Sequence, residues 1–179
     1  MKRIILALLL TGIFISANAQ TDKGDWIVGG RVDLNTGDNS TTIGFTPSAA
    51  VFVMHNLAVG GNLGVTYTKA GDSKITNFLM GPLVRGYLTN AMVRPLLQMA
   101  INYTSIKFSD PGFSSTASGI NFFLGGGAAA FINSNIALEI LMGYSHTKYK
   151  DFEGSGGFNL GIGFQVYLSK GQIDKVRGK

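Results

Sequence analysis

GFNLGIGFQVYL, residues 157–168, alternates without a break. Phe158, Leu160, Ile162, Phe164, Val166 and Leu168 are large and apolar, and Asn159, Gly161, Gly163, Gln165 and Tyr167 stand between them. Successive side chains of a strand point to opposite faces, so a period of two makes this segment a strand with two unlike faces. The fold turns on which face is inside. A soluble sheet hides its large apolar face in a core. A barrel in a bilayer turns that face to lipid and keeps the small, polar face within.

The same pattern recurs upstream. Turn-forming stretches divide the chain into eight alternating segments, at about 25–35, 41–53, 57–69, 74–88, 92–108, 116–131, 136–150 and 156–168. No 3.6-residue periodicity stands out beyond the first twenty residues. In the third segment Leu57, Val59, Gly61, Leu63, Val65 and Tyr67 oppose Ala58, Gly60, Asn62, Gly64, Thr66 and Thr68; the fifth and seventh segments repeat the contrast. The sixth, with LGGGAAAF, has little contrast, and Gly125, Gly126 and Gly127 read as a bulge or bend. The connections MHN, TNA and INSN read as tight turns, and the other four as longer polar loops of about four to eight residues by ordinary loop lengths. Short turns on one side and longer loops on the other is the plan of an outer-membrane barrel.

Composition narrows the choice. Hydrophobic residues make up 45% of the chain and charged residues only 14%, against roughly 25% charged in ordinary soluble domains. An outward face this poor in charge and this rich in Gly does not suit water. It does suit the interior of an eight-stranded barrel, just wide enough for side chains to fill. There is no Cys, which excludes a disulfide scaffold and a thiol nucleophile. The 15 basic against 10 acidic residues are scattered, so no nucleic-acid partner is expected. MKRIILALLLTGIFISANAQ opens with Lys2 and Arg3, runs apolar to about Ile15 and ends on small residues through Ala19. This is the layout of a secretory signal peptide, too short for a spanning helix. The expected organisation is a cleaved signal at 1–19, a barrel at 20–168 and a polar periplasmic tail at 169–179, the fold an all-β, eight-stranded antiparallel up-and-down transmembrane barrel.

The stretches GFTPSAAVFVMHNLAVGGNLGVTYT, FLMGPLVRGYL, RPLLQMAINY, FFLGGGAAAFINSNIALEILMGYS and GFNLGIGFQVYL resemble the small outer-membrane β-barrel domain proteins of the OmpA/OmpX-like type, in the version common among Bacteroidetes. The resemblance implies an eight-stranded barrel inserted in the cell outer membrane by the barrel-assembly machinery; a monomer in contact with outer-membrane lipids and lipopolysaccharide is expected. One departure is the polar tail that follows Tyr167 and Leu168, where such proteins often end on an aromatic residue.

Candidate residues follow from parity. Phe158, Leu160, Ile162, Phe164, Val166 and Leu168 are expected to face lipid. Tyr67, Tyr103 and Tyr144 are expected to form an aromatic girdle near the outer ends of their strands, with Trp26 in the opposite girdle. Arg31, Asp33, Arg85, Arg94 and Glu139 fall on the inward face, where a charge must be paired or wet; an ion-pair network is expected, with Glu139 bridging Arg85 or Arg94. Lys69, Lys74, Lys107, Lys148 and Lys150 flank the outer loops, placed to meet lipopolysaccharide phosphates or to solvate the rim. His55 reads as a turn residue. Ser145 and His146 are adjacent in a strand and so point apart, which argues against a nucleophile–base pair beside Asp151 and Glu153. No catalytic, metal or cofactor residues are assigned, and none of the phosphate-binding or hydrolase motifs occurs. The functional expectation is a non-enzymatic structural or interaction protein with a closed polar lumen. The alternatives are a narrow gated channel for small or hydrophobic solutes, a lipid A-modifying enzyme and a soluble periplasmic ligand-binding barrel.

Overall fold

The computed structural model describes residues 21–37, 40–71, 73–110, 113–150 and 153–176; the expected signal sequence, 1–19, lies outside them. Eight antiparallel strands follow one another: β1 (Trp26–Gly37), β2 (Ser40–Met54), β3 (Leu57–Ala70), β4 (Ser73–Tyr87), β5 (Val93–Asp110), β6 (Phe113–Phe131), β7 (Ile136–Tyr149) and β8 (Ser155–Leu168). Each pairs with the next, and β8 pairs with β1, closing the barrel. Closure leaves no free edge along the paired wall. An even number of strands puts the start of β1 and the end of β8 at one end, where Trp26 pairs with Leu168. That end is called the terminal end below, and the opposite one the far end.

The large apolar face is outside. Phe45, Leu63, Val65, Met80, Leu97, Ile101, Leu124, Ile140 and Met142 are exposed on the wall, whereas Asn62, Gln98, Asn102 and Gln165 are buried within. Alternation therefore runs opposite to that of a soluble barrel.

Three details differ from the reading of the sequence. The far-end connections are not longer loops: residues 38–39, 71–72 and 111–112 separate their strands, and 150–154 the last pair. Hydroxyl-rich flanks keep pairing where a loop was expected, as in Ser109↔Ser114; cross-strand Thr and Ser pairs support a ladder. Loop length therefore does not distinguish the two ends. Of the two readings of the triple glycine in β6, a bulge or a bend, the bulge does not form, since its register with β5 and β7 is continuous. A Cβ on Gly127 would lie 2.9 Å from the Leu141 Cα and collide with the Ile140 carbonyl, and one on Gly143 would lie 2.6 Å from the Gly125 Cα. Gly125 and Gly143 leave the space that the Phe123 ring fills, its Cζ 2.6 Å from where either Cβ would stand. The ladder shifts instead in β2, between Phe52 and Met54, beside the His55–Asn56 turn, where Asn56 adopts φ 61°.

The third difference is a helix, α1 (Lys170–Val176), in the polar tail. Ser169 and Gln172 form a capping box: the Gln172 N–H donates to Ser169 Oγ at 3.2 Å, and the Ser169 N–H to Gln172 Oε1 at 2.9 Å. Seven residues are too few to show a helical period, so only the S-x-x-Q spacing marks it. The Lys170 N–H donates to Asp25 Oδ1 at 2.9 Å, tying the helix to the segment before β1.

Candidate functional site

The inward residues change character along the axis. Near the terminal end they are buried, as Leu83, Arg85 and Tyr87 are in β4 and Glu139 and Leu141 in β7. Toward the far end they are half-exposed: Ser73, Ile75, Asn77 and Leu79 in β4, Ser145 and Thr147 in β7. The lumen is thus a plug at one end and a cup at the other.

Arg85 and Glu139 make the plug. Arg85 Nη1 donates to Glu139 Oε1 and Oε2 at 3.0 and 2.9 Å, with the two residues 4% and 2% exposed. Arg85 Nε donates to Gln98 Oε1 at 2.9 Å. The hydroxyls of Tyr87 and Tyr167 lie 2.7 Å apart and each 3.2 Å from Glu139 Oε1. A buried pair persists only when such additional hydrogen bonds satisfy it. Beneath it lies an aromatic floor, with Phe131 and Tyr167 ring centroids 4.7 Å apart and Phe52 and Tyr87 6.1 Å apart.

Arg94 sits in the floor. Its guanidinium lies 4.5 Å over the Phe131 ring, Nη1 donates to Thr21 Oγ1 at 3.0 Å and Nε to the Ala91 carbonyl at 3.1 Å. Of the two bridges considered for Glu139, the structure forms the one to Arg85. Arg31 and Asp33 pair with each other higher in the lumen, at 3.0 Å, with Arg31 5.3 Å over the Phe123 ring. The five inward charges therefore occupy three places.

The cup has a volume of about 440 Å³. Arg31, Asp33, Thr46, Ser48, Asn62 and Asn102 are among the residues lining it, and Arg85 and Glu139 close its base.

On the outer wall Phe158, Leu160, Ile162 and Phe164 are exposed, Val166 and Leu168 half-buried. Tyr67, Tyr103 and Tyr144 are exposed in the far halves of their strands, and Trp26 is half-buried at the terminal end. Lys69 and Lys74 are cross-strand partners, exposed like Lys107, Lys148 and Lys150. His55 occupies the β2–β3 turn, its Nδ1 2.7 Å from Asp22 Oδ1 and its Nε2 3.0 Å from Asn90 Nδ2. Ser145 lines the cup and accepts from Asn159 Nδ2 at 2.9 Å, while His146 is exposed. Asp151 lies outside the described residues, and Glu153 is exposed. Among the described residues no three His, Cys, Asp or Glu side chains gather as a metal site.

Tyr87, Gln98 and Tyr167 were not singled out in the sequence. The only signal was a hydroxyl-bearing aromatic or a carboxamide on the otherwise small inward face. A buried phenol finds a polar partner, and the inward arginine and glutamate were the available ones.

A family described as "Outer membrane protein beta-barrel domain" matches residues 5–166. No curated protein matches the chain. Among solved structures the barrel is similar to Neisserial surface protein A, at 14% identity and a TM-score of 0.59, covering 79% of this chain and 94% of that one. It is similar to the N-terminal β-barrel domain of Pseudomonas aeruginosa OprF, at 11% identity and 0.60, covering 83% and 100%. It is also similar to the outer membrane protein OprG of Pseudomonas aeruginosa, at 16% and 0.53, covering 86% and 99%. At these identities the likeness is one of fold.

Proposed function

The chain belongs to the outer membrane protein β-barrel domain family, and from that premise we propose a non-enzymatic structural or interaction role in the outer membrane, with a lumen that does not conduct. The observation that carries this reading is the buried plug. Arg85, Glu139, Tyr87, Tyr167 and Gln98 satisfy one another across the barrel above a floor of Phe52, Leu96 and Phe131. An eight-stranded barrel is too narrow to leave a path around such a layer. Conductance in planar bilayers tests it. The wild-type protein stays silent, and steady unitary currents from it overturn the proposal.

The second reading, a narrow gated channel, draws on the cup above the plug. If Arg85–Glu139 were a gate, wild type would show rare openings and Glu139→Ala would hold the pore open.

The terminal end is read as periplasmic and the signal as cleaved after Ala19. In support, Thr21 is buried under Arg94 and its carbonyl accepts from the Asn56 N–H at 2.9 Å, so the chain is built into the floor from just beyond that point. Intact mass of the mature protein starting at Gln20 supports the cleavage, and a mass retaining residues 1–19 refutes it. Lipid contact at the exposed apolar wall, insertion by the barrel-assembly machinery, a monomeric state and contact of the rim lysines with lipopolysaccharide phosphates complete the reading. The tyrosines and Trp26 serve in it as interfacial anchors.

A further inference from the structure

The inner wall of β1–β4 is recessed above the plug. Asp33, Gly44, Thr66 and Asn77 are paired in turn across the four strands and share the inward face. Arg31 and Thr46 form the neighbouring inward pair toward the terminal end. Gly44 is buried and carries nothing into the lumen, so the Asp33 carboxylate and the Thr66 hydroxyl stand on either side of a gap. A Cβ there would lie 3.5 Å from Asp33 Oδ2 and 3.3 Å from Thr66 Oγ1. Arg31 lays its stem on Gly161 of β8 and holds its head 5.3 Å over the Phe123 ring.

These side chains keep polar atoms free. Arg31 engages Asp33 Oδ2 through Nε at 3.2 Å, and among the described residues neither of its Nη groups has an acceptor. Asn77 accepts from Thr104 through Oδ1 at 2.7 Å, and its Nδ2 has no acceptor among the same residues. Thr46, Ser48 and Thr66 line the cup, half-buried, with no side-chain hydrogen bond to another described residue. None of these atoms is sealed from solvent, unlike the amide oxygens of Asn62 and Asn102. Leu79 and Leu83 add apolar surface to the same wall.

We propose that the cup binds an uncharged mono- or disaccharide, seated against β1–β4. Binding of this kind goes beyond the closed lumen, whose plug supplies only the base of the site. Arg85 and Glu139 shut the cup below, so the sugar enters from the far end. The charged side chains of the lining, Arg31 with Asp33 and Arg85 with Glu139, are paired and sum to zero, which gives an ion no advantage. The free guanidinium and amide N–H groups call for acceptors, the Asp33 carboxylate calls for donors, and the threonine and serine hydroxyls take either role. A sugar hydroxyl donates and accepts, and neighbouring hydroxyls on one ring meet a donor and an acceptor side by side. The C–H face of the ring matches Leu79 and Leu83. The volume of about 440 Å³ falls within the roughly 300–1,000 Å³ of small-molecule sites.

The test uses the folded chain in phosphatidylcholine nanodiscs and saturation-transfer NMR observed on the sugar, with empty nanodiscs subtracted. Binding is read without flux, so the result is independent of whether the lumen conducts. The probes are glucose, maltose, lactose and sucrose, with glucuronate and glucosamine as charged counterparts. Transfer to at least one uncharged sugar, exceeding that to both charged ones, is the expected result. No transfer to any of the four leaves the cup to water and overturns the proposal, as does preferential transfer to a charged probe. Thr46→Val with Thr66→Val keeps side-chain volume and removes two hydroxyls, folding being verified by heat-dependent gel mobility. Losing two hydrogen bonds weakens sugar binding about tenfold. Gly44→Ala fills the gap, its Cβ meeting the movable Thr66 hydroxyl at 3.3 Å and Asp33 Cβ at 3.4 Å, and also weakens binding. Where the double variant does not fold, Gly44→Ala decides. Affinity unchanged in the folded variants places the sugar elsewhere and overturns the proposal. Retention of the protein on maltose immobilised through its reducing end assigns the site to the end of a glycan, and binding of the free sugar alone assigns it to a solute; both sustain the saccharide.

Discussion

Truncating Glu139 to Ala strands the Arg85 guanidinium in the plug. The change removes the two hydrogen bonds from Nη1 to the carboxylate, at 2.9 and 3.0 Å, and the acceptor shared by Tyr87 and Tyr167. Arg85 is 4% exposed and keeps only the Gln98 carboxamide and the Tyr87 hydroxyl as polar partners from this cluster. Removing one member of a buried ion pair costs about 3–5 kcal/mol, because the survivor is an uncompensated charge out of water. Glu139→Gln keeps an acceptor for the phenols but loses the charge-assisted bonds, for a loss of about 1.5–3 kcal/mol. The double change Arg85→Met with Glu139→Leu removes both charges and recovers most of the stability, since well-packed apolar replacements of buried pairs are often neutral or better. Urea unfolding in lipid vesicles measures all three. Gel mobility of unheated samples reports the folded fraction, and the fluorescence of Trp26, the single tryptophan, is a second probe. A Glu139→Ala protein within about 0.5 kcal/mol of wild type, the range of surface substitutions, refutes the reasoning. It would mean that water reaches Arg85 and that the plug is not dry.

Adjacent glycines of β6 should behave oppositely. Gly127→Val forces its side chain into the backbone of β7 and lowers stability by about 1–3 kcal/mol or blocks folding, whereas a Cβ at Gly126 meets Leu97 Cδ2 at 3.4 Å and the Leu96 carbonyl at 3.6 Å, ordinary contacts, so Gly126→Val folds normally on the same gel assay. Asn56 holds a left-handed backbone at φ 61°, so Asn56→Val costs about 1–2 kcal/mol while Asn56→Gly stays close to wild type; equal losses would show that the Asn56–Asn90 side-chain bond, not the backbone, matters. Ser169→Ala removes the cap of α1 and about 1 kcal/mol of helix stability, seen as faster amide exchange in 170–176 with the barrel amides unchanged.

Heat-dependent mobility and sedimentation with the outer membrane report on the wall itself. A boiled sample should migrate differently from an unheated one, and a soluble protein without that shift would contradict the outward placement of Leu63, Met80 and Phe158.

The alternation in residues 157–168 and its seven counterparts was enough for the number of strands, their order and their faces. Period two is a local property, and eight strands with an apolar outer face close in only one sensible way. Charge poverty then chose lipid over water as the surrounding solvent. The far ends were read less well, because Ser, Asp and Gly signal turns whether or not a hairpin keeps pairing through them. α1 was missed because its only mark is a four-residue cap.

Parity placed Arg31, Asp33, Arg85, Arg94 and Glu139 inside, but parity assigns a face and not a neighbour. Arg85 meets Glu139 across 54 positions of chain, and Tyr87 meets Tyr167 across 80. Those distances are set by the register of every strand between them, a sum of ladders that no window of sequence contains. The same holds for the short ladder between β1 and β8. Both segments alternate, and only closing the barrel, where stagger accumulates, decided that seven of their positions pair.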